Sequence, residues 1–141
     1  MAQAKPDTEQ LVRDYGEMWN EQDFAKIPDL VSESVVVSHP SMPDGEVQGH
    51  EGLEEWMHEV TTGFPDVQVE IIDLLASDEI VMVEVNYAMT HEGEFNEIPA
   101  TGRTVDMKGM SKFEIEDGKI KEHREYIDRQ ESFDQLGLTD G

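Results

Sequence analysis

The sequence contains no cysteine in 141 residues, which excludes disulfide bonds, zinc–thiolate centres and thiol nucleophiles. Basic residues are also scarce: 10 Lys and Arg stand against 33 Asp and Glu, for a formal net charge of −23. A surface this negative repels the phosphates of DNA and RNA, which argues against nucleic-acid binding. No apolar run is long enough to span a membrane, and residues 1–7 lack the apolar centre of a signal peptide. We therefore expect a cytoplasmic protein without a membrane or nucleic-acid partner.

The acidic excess also predicts the conditions under which the chain folds. Negative charges on a folded surface repel one another, and salt weakens this repulsion by shortening the Debye length to about 3 Å at 1 M. The composition is therefore typical of a protein from the high-salt cytoplasm of a halophile. A chain of 141 residues can build one core but not two, so residues 1–141 are predicted to form a single domain.

Three helices are predicted ahead of the sheet. Apolar residues recur at helical spacing after Asp7, Asp23 and Gly49. Alternating apolar and polar residues predict strands at 34–39, 67–71, 80–91 and 103–108, the last continuing into a hairpin over 107–128. Helices grouped before a largely antiparallel sheet predict an α+β fold. In this fold a curved sheet wraps over the N-terminal helices as a cone with an internal pocket.

The hairpin is the strongest local signal. Asp117-Gly118 lies between two alternating runs and predicts a two-residue turn, with Glu116 opposite Lys119. Because side chains alternate along a strand, His123 and Glu125 are predicted to lie on the solvent face. The other face is predicted to carry the pairs Ile115/Ile120, Phe113/Glu122, Ser111/Arg124, Gly109/Tyr126 and Met107/Asp128.

Polar side chains are thus predicted at strand ends whose faces otherwise carry core residues. They are His39, His91, Arg124, Tyr126 and Asp128. A carboxylate in an apolar cavity can exchange protons near neutral pH, so Asp128 is the candidate general acid/base. His91 or His39 would polarise a carbonyl oxygen or hold the enolate. Substrate-contacting apolar walls are expected from Tyr15, Trp19, Phe113 and Tyr126.

Metal binding is the rival chemistry, because two histidines and a carboxylate can hold iron or zinc. These residues are scattered along the chain and form no compact ligand motif, so no metal is predicted. Neither a nucleophile-elbow sequence nor a glycine-rich phosphate loop is present.

Several short motifs follow one another in a specific order. They are Trp19-Asn20, Phe64-Pro65-Asp66, Thr90-His-Glu-Gly-Glu-Phe95, Pro99-Ala-Thr-Gly-Arg103, Asp117-Gly-Lys-Ile120, Glu122-His123 followed by Asp128, and Gln135-Leu-Gly-Leu138. Together they resemble the SnoaL-like polyketide cyclase (ester cyclase) family over nearly the whole chain. This resemblance implies a nuclear-transport-factor-like cone that uses no metal or cofactor and often forms homodimers or higher oligomers through its sheet.

The same resemblance implies a reaction, the closure of a ring of an aromatic polyketide by intramolecular aldol condensation. Asp128 occupies the place of the family's acid–base aspartate, and His91 that of its motif histidine. Arg124 stands where the family commonly has tryptophan, and a cation there could bind an anionic substrate or keep Asp128 ionised.

The predicted function is cofactor-independent acid/base chemistry, of the aldol cyclase or isomerase type, on a small hydrophobic carbonyl compound. Two alternatives stay open. One is a non-catalytic small-molecule-binding or dimerising module of the same fold. The other is a hydratase or epoxide hydrolase in which Asp128 activates water.

Overall fold

A computed structural model describes residues 7–138. Its helices are α1 (Asp7–Glu21), α2 (Ile27–Leu30), α3 (Gly49–Gly63) and α4 (Arg129–Leu136), with a 3-10 turn at Phe24–Lys26 before α2. Its strands are β1 (Val31–Ser38), β2 (Glu46–Gln48), β3 (Gln68–Ala76), β4 (Ile80–Thr90), β5 (Thr104–Glu116) and β6 (Lys119–Tyr126). The first six and last three residues of the predicted domain lie outside the described residues. No helix within residues 7–138 is long and apolar enough to cross a membrane.

The long helices bury one stripe each against the sheet. Helical spacing places Val12, Tyr15 and Met18 on the buried face of α1. The same spacing places Leu53, Trp56 and Met57 on the buried face of α3. Each side chain that is fully removed from water contributes about 1.5–3 kcal/mol. Pro28 is the second residue of α2, where its missing N–H leaves no helical hydrogen bond unmade.

The six strands lie in the order β2-β1-β6-β5-β4-β3. Every neighbouring pair is antiparallel except β1 and β6, which run parallel. The predicted α+β class, with a curved, largely antiparallel sheet over the helices, is confirmed. Strand β3 extends beyond the predicted residue 71, because a bulge at Ile72 lets Leu74 and Ala76 continue the inner face opposite Val83 and Val81.

The predicted register of the β5–β6 hairpin is right next to the turn and wrong beyond it. Ile115 pairs with Ile120 as expected, but Glu114 then pairs with Glu122, so Lys121 has no opposite residue. One extra residue in a strand reverses which face each later side chain occupies. Beyond the bulge the pairs are Phe113/His123, Lys112/Arg124, Ser111/Glu125 and Met110/Tyr126.

This bulge determines what enters the interior. His123 and Glu125 turn inward, opposite Phe113 and Ser111, although the uniform alternation predicted that they would lie in solvent. Arg124 and Tyr126, which alternate with His123 and Glu125 along β6, are exposed on the outer face. The inner face of the sheet, α1 and α3 together enclose the core and a cavity.

Candidate active site

A cavity of about 310 Å³ lies between the inner face of the sheet and the helices. This volume falls within the range of small-molecule sites. Aromatic rings make up much of its wall, among them Trp19, Trp56, Phe64, Phe95, Phe113 and Phe133. Such a wall suits a flat, hydrophobic ligand.

Glu125 is the carboxylate in this cavity. It is 5% exposed and accepts hydrogen bonds from three side chains. The Ser111 hydroxyl donates to Oε1 at 2.6 Å, and His123 Nε2 lies 2.9 Å from the same oxygen. The Tyr87 hydroxyl makes a short hydrogen bond to Oε2. A charge buried this far needs such donors, because an unpaired one costs several kcal/mol.

His123 connects Glu125 to a second phenol. Tyr15 Oη lies 3.2 Å from His123 Nδ1, and the imidazole stacks on Phe113 at a centroid distance of 4.3 Å. Burial raises the pKa of Tyr15, and the nearby charge of Glu125 raises it further, so the phenol keeps its proton. Tyr15 can therefore donate to Nδ1 while Nε2–H donates to Glu125, which satisfies all three groups.

Tyr87 also keeps its proton. Burial raises its pKa well above the ordinary value, and the adjacent Glu125 charge acts in the same direction. The hydroxyl is thus a fixed donor to the carboxylate. With two donors on Oε1 and one on Oε2, a carboxylate with about four acceptor sites keeps one of them free on Oε2.

His39 contributes a neutral imidazole to the wall. The Ser41 backbone N–H donates to its Nδ1 at 2.9 Å, which places the ring proton on Nε2. Burial lowers the pKa of His39 to about 4, so the ring is uncharged at neutral pH. Among the described residues no partner accepts this Nε2–H, which leaves it free for a ligand oxygen.

His91 is a second imidazole on the cavity wall whose Nδ1 accepts a backbone N–H. It is 1% exposed, lies against the cavity and stacks on Phe64 at 5.1 Å. Its Nδ1 accepts from the Thr101 backbone N–H at 3.3 Å and lies 3.1 Å from the Thr101 hydroxyl. The Nε2 atom has no hydrogen-bond partner among residues 7–138. Since a buried N–H without a partner costs about 1–3 kcal/mol, this donor is the kind of group that a ligand satisfies.

The structure brings together Tyr15, Trp19, His39, His91 and Phe113 on the cavity wall, and it places the other three predicted site residues elsewhere. The predicted inward position of Asp128 is wrong. Asp128 is exposed, caps α4 by accepting from the Glu131 backbone N–H at 3.2 Å, and borders a shallow groove on the outer face.

The predicted inward positions of Arg124 and Tyr126 are also wrong, and for the same reason, the bulge at Lys121. Arg124 is exposed and pairs with Glu122 at 3.0 Å, and Tyr126 is 56% exposed on the outer face. Arg124 does not border the cavity. Within residues 7–138 its ion pair is with Glu122 and not with Asp128.

His123 and Glu125 are the site residues that sequence reasoning missed. A signal for them was present: the uniform register turns four polar residues in succession toward the core. If one residue bulges out of β6, Glu122 and Arg124 turn to solvent. His123 and Glu125 are then the polar residues of this strand that face the interior. The cost of burying polar groups favours that arrangement, but it does not say where the extra residue lies.

Within residues 7–138 no group of three or more His, Asp or Glu side chains is arranged to hold a metal ion. What converges on the cavity is one hydrogen-bonded carboxylate and two imidazoles whose Nε2 atoms have no partner among residues 7–138. These groups can accept a proton and donate hydrogen bonds to a developing oxyanion.

A curved sheet and its covering helices enclose a cavity lined by aromatic rings and hydrogen-bond donors. This is the architecture of an α+β cone with a pocket for a small molecule. The family model described as SnoaL-like polyketide cyclase matches residues 9–136. The chain belongs to this family. No curated protein sequence matches it.

Solved structures share the fold. AclR from Streptomyces galilaeus is 25% identical, with a TM-score of 0.79 over 96% of this chain and 87% of its own. TsrD from Streptomyces laurentii is 20% identical, with a TM-score of 0.83 over 98% and 100%. A SnoaL-like polyketide cyclase from Agrobacterium tumefaciens is 19% identical, with a TM-score of 0.78 over 95% and 100%.

Proposed function

We propose that this protein is an enzyme that removes a proton α to a carbonyl of a small hydrophobic molecule, by cofactor-independent acid/base chemistry. The observation that carries the proposal is Glu125, a buried carboxylate in an aromatic cavity with one acceptor site left free. The same chemistry serves an aldol cyclase or an isomerase, the reaction types that the family suggests.

Glu125 Oε2 is the proposed base. When it takes the proton from carbon, the electron pair moves to the carbonyl oxygen and forms an enolate. In an aldol reaction the enolate carbon then bonds to a second carbonyl carbon, and the proton returns to the new alkoxide. In an isomerase the proton returns to a different carbon.

His39 and His91 are the proposed donors to the enolate oxygen. Both carry a proton on Nε2, and neither Nε2 has a protein partner among the described residues. A neutral imidazole N–H fixed in an apolar wall stabilises a developing oxyanion without reorganising. Each ring is oriented by a hydrogen bond that a backbone N–H donates to its Nδ1 atom.

The test is deuterium exchange at the α-carbon of 2-tetralone in D2O, followed by proton NMR. The wild type is expected to accelerate exchange over buffer, and Glu125→Gln is expected to lose roughly 10²–10⁴-fold of the rate, the usual share of a general base. Gln keeps the size and most of the hydrogen bonds of Glu125, so binding of 2-tetralone should persist.

Asp128→Asn is the matched control, because it makes the same change at a carboxylate outside the cavity. Unchanged exchange in Asp128→Asn supports Glu125 as the base, and a large loss there would contradict the assignment. If 2-tetralone binds but the wild type does not accelerate exchange, the cavity serves binding alone.

We also propose that two copies pair through the outer face of the sheet. Leu75, Met82, Met110 and Tyr126 are neighbours there and are 78%, 46%, 48% and 56% exposed. Contiguous exposed apolar side chains of this kind mark an interaction surface, and a two-fold axis lets one patch cover itself. Light scattering should give a dimer mass for the wild type and a monomer mass for Met82→Glu. Leu138→Glu, at an exposed residue beyond α4, should leave the mass unchanged; a monomeric wild type would contradict the proposal.

A further inference from the structure

Arg129, the first residue of α4, lies at the opening of the cavity. Its side chain is exposed to solvent and yet borders the cavity, so it occupies the rim. The guanidinium carbon lies 5.2 Å from the centroid of the Phe133 ring, another wall residue. Stacking on that ring holds the cation beside the entrance.

The Arg129 guanidinium has no carboxylate partner within residues 7–138, although the chain has a net charge of −23. Acids pair with Arg13, Lys26, Lys121 and Arg124. Other described cations also have no ion pair, namely Arg103, Lys108, Lys112 and Lys119, but of the cations within residues 7–138 only Arg129 borders the cavity. With more than three acids for every base, an arginine left without one at a cavity rim is available for an anion from outside.

The charges along the cavity fix how a ligand would lie. Glu125 is negative and buried, so it repels an anionic group from the inner end, where its own donors are already engaged. Arg129 is positive at the rim. His39 is kept uncharged by burial, which lowers its pKa; the charge of Glu125 acts to raise this pKa, and His123 and Arg129 are close enough to lower it.

We propose that the substrate carries a carboxylate, or an anion of similar shape, which Arg129 binds at the rim while a neutral carbonyl lies beside Glu125. This inference rests on the proposed function, because it assigns one end of the substrate of that same cavity. Arg129 is thus a specificity-determining residue. A planar guanidinium suits a carboxylate, because it can donate two parallel hydrogen bonds.

The test compares two probes that differ only in charge, naphthalene-2-carboxylate and naphthalene-2-carboxamide, by isothermal titration calorimetry at one fixed salt concentration. The wild type is expected to bind the carboxylate about tenfold more tightly than the carboxamide, as for one charge-assisted contact. Arg129→Gln should lose that preference and keep its affinity for the carboxamide. Arg124→Gln is the matched control, since it changes the net charge equally at an arginine outside the cavity.

The outcomes separate this inference from the proposed function. If the carboxamide binds as tightly as the carboxylate, or if Arg129→Gln keeps the preference, the assignment of an anionic substrate is overturned and the acid/base proposal stands. If Arg124→Gln loses the preference equally, net charge is the cause and the assignment is also overturned. If neither probe binds, the assignment of an anionic substrate is overturned, and 2-tetralone exchange still decides the acid/base proposal.

Discussion

Ser111 of β5 lies directly opposite Glu125 of β6, and its hydroxyl donates a 2.6 Å hydrogen bond to the buried carboxylate. This pairing exists because Lys121 bulges out of the hairpin. Without the bulge, Ser111 would face Arg124, and the carboxylate would point into solvent. One extra residue near the turn therefore places the buried carboxylate in the cavity.

Replacing Ser111 with alanine is expected to lower the free energy of unfolding by about 1–3 kcal/mol, because the buried carboxylate loses one of its donors. Urea denaturation measures the change. Ser34→Ala is the control: Ser34 is exposed, so its substitution should alter stability by about 0.5 kcal/mol or less. Equal effects at the two serines would show that Ser111 contributes nothing to holding Glu125.

Asp128→Ala is expected to cost about 1 kcal/mol of stability, the usual loss for a helix N-cap, because the Glu131 backbone N–H loses its acceptor. Asp128→Asn should cost little, since asparagine caps helices nearly as well. Thermal unfolding of both variants measures this difference. A stability unchanged in Asp128→Ala would argue against the capping role.

The sequence predicted the fold class and most element positions because apolar periodicity is a pattern over many residues. One misassigned residue therefore moves few helix or strand boundaries. The cavity walls depend on that same periodicity, which is why Tyr15 and Phe113 lie where they were expected. The carboxylate depends on one local event. A bulge changes no composition and little propensity, yet it exchanges Glu125 for Arg124 on the inner face.

The motif over residues 90–95 also has a physical basis that the sequence alone does not give. The Gly93 backbone passes over the end of α3, where its N–H donates to the Gly63 carbonyl at 3.1 Å. A Cβ at position 93 would lie 2.0 Å from the Thr62 carbonyl oxygen. The segment that carries Phe95 to the cavity wall therefore needs glycine there.

Gly93→Ala is accordingly expected to destabilise the protein by about 1–3 kcal/mol through overpacking against backbone. Gly16→Ala provides the contrast. Gly16 lies in α1, where an added Cβ would lie 3.9 Å from Ile71 Cδ1, and alanine in a helix gains about 0.5–1 kcal/mol over glycine. Urea denaturation should move in opposite directions for the two variants, and a neutral Gly93→Ala would contradict the close approach.

Salt should stabilise this chain, because 33 acidic against 10 basic residues repel one another at low ionic strength. Relief of about 1–2 kcal/mol of repulsion would raise the Tm by several degrees between 0.1 and 2 M KCl. Calorimetry measures the shift. Sucrose at matched osmolality is the control for solute exclusion, and a Tm that rises equally in sucrose, or not at all in KCl, would contradict an adaptation to high salt.

His39 predicts how stability depends on pH. Burial lowers its pKa from 6.5 to about 4 in the folded protein, so the unfolded chain takes up this proton first as the pH falls. Above pH 6.5 both states are neutral and His39 contributes nothing. Between pH 6.5 and 4 the unfolded state alone is protonated, and His39 costs up to about 3 kcal/mol of stability.

Carboxylates titrate over part of the same range, so the measurement is the difference between the wild type and His39→Asn. Asparagine can still accept from the Ser41 backbone N–H through Oδ1, which preserves the local hydrogen bond. With each protein referenced to its own stability at pH 7.5, urea denaturation at pH 4.5 should show a smaller loss in His39→Asn than in the wild type. Parallel stability curves for the two proteins would mean that the folded ring protonates as readily as the unfolded one, which would contradict a His39 pKa lowered by burial.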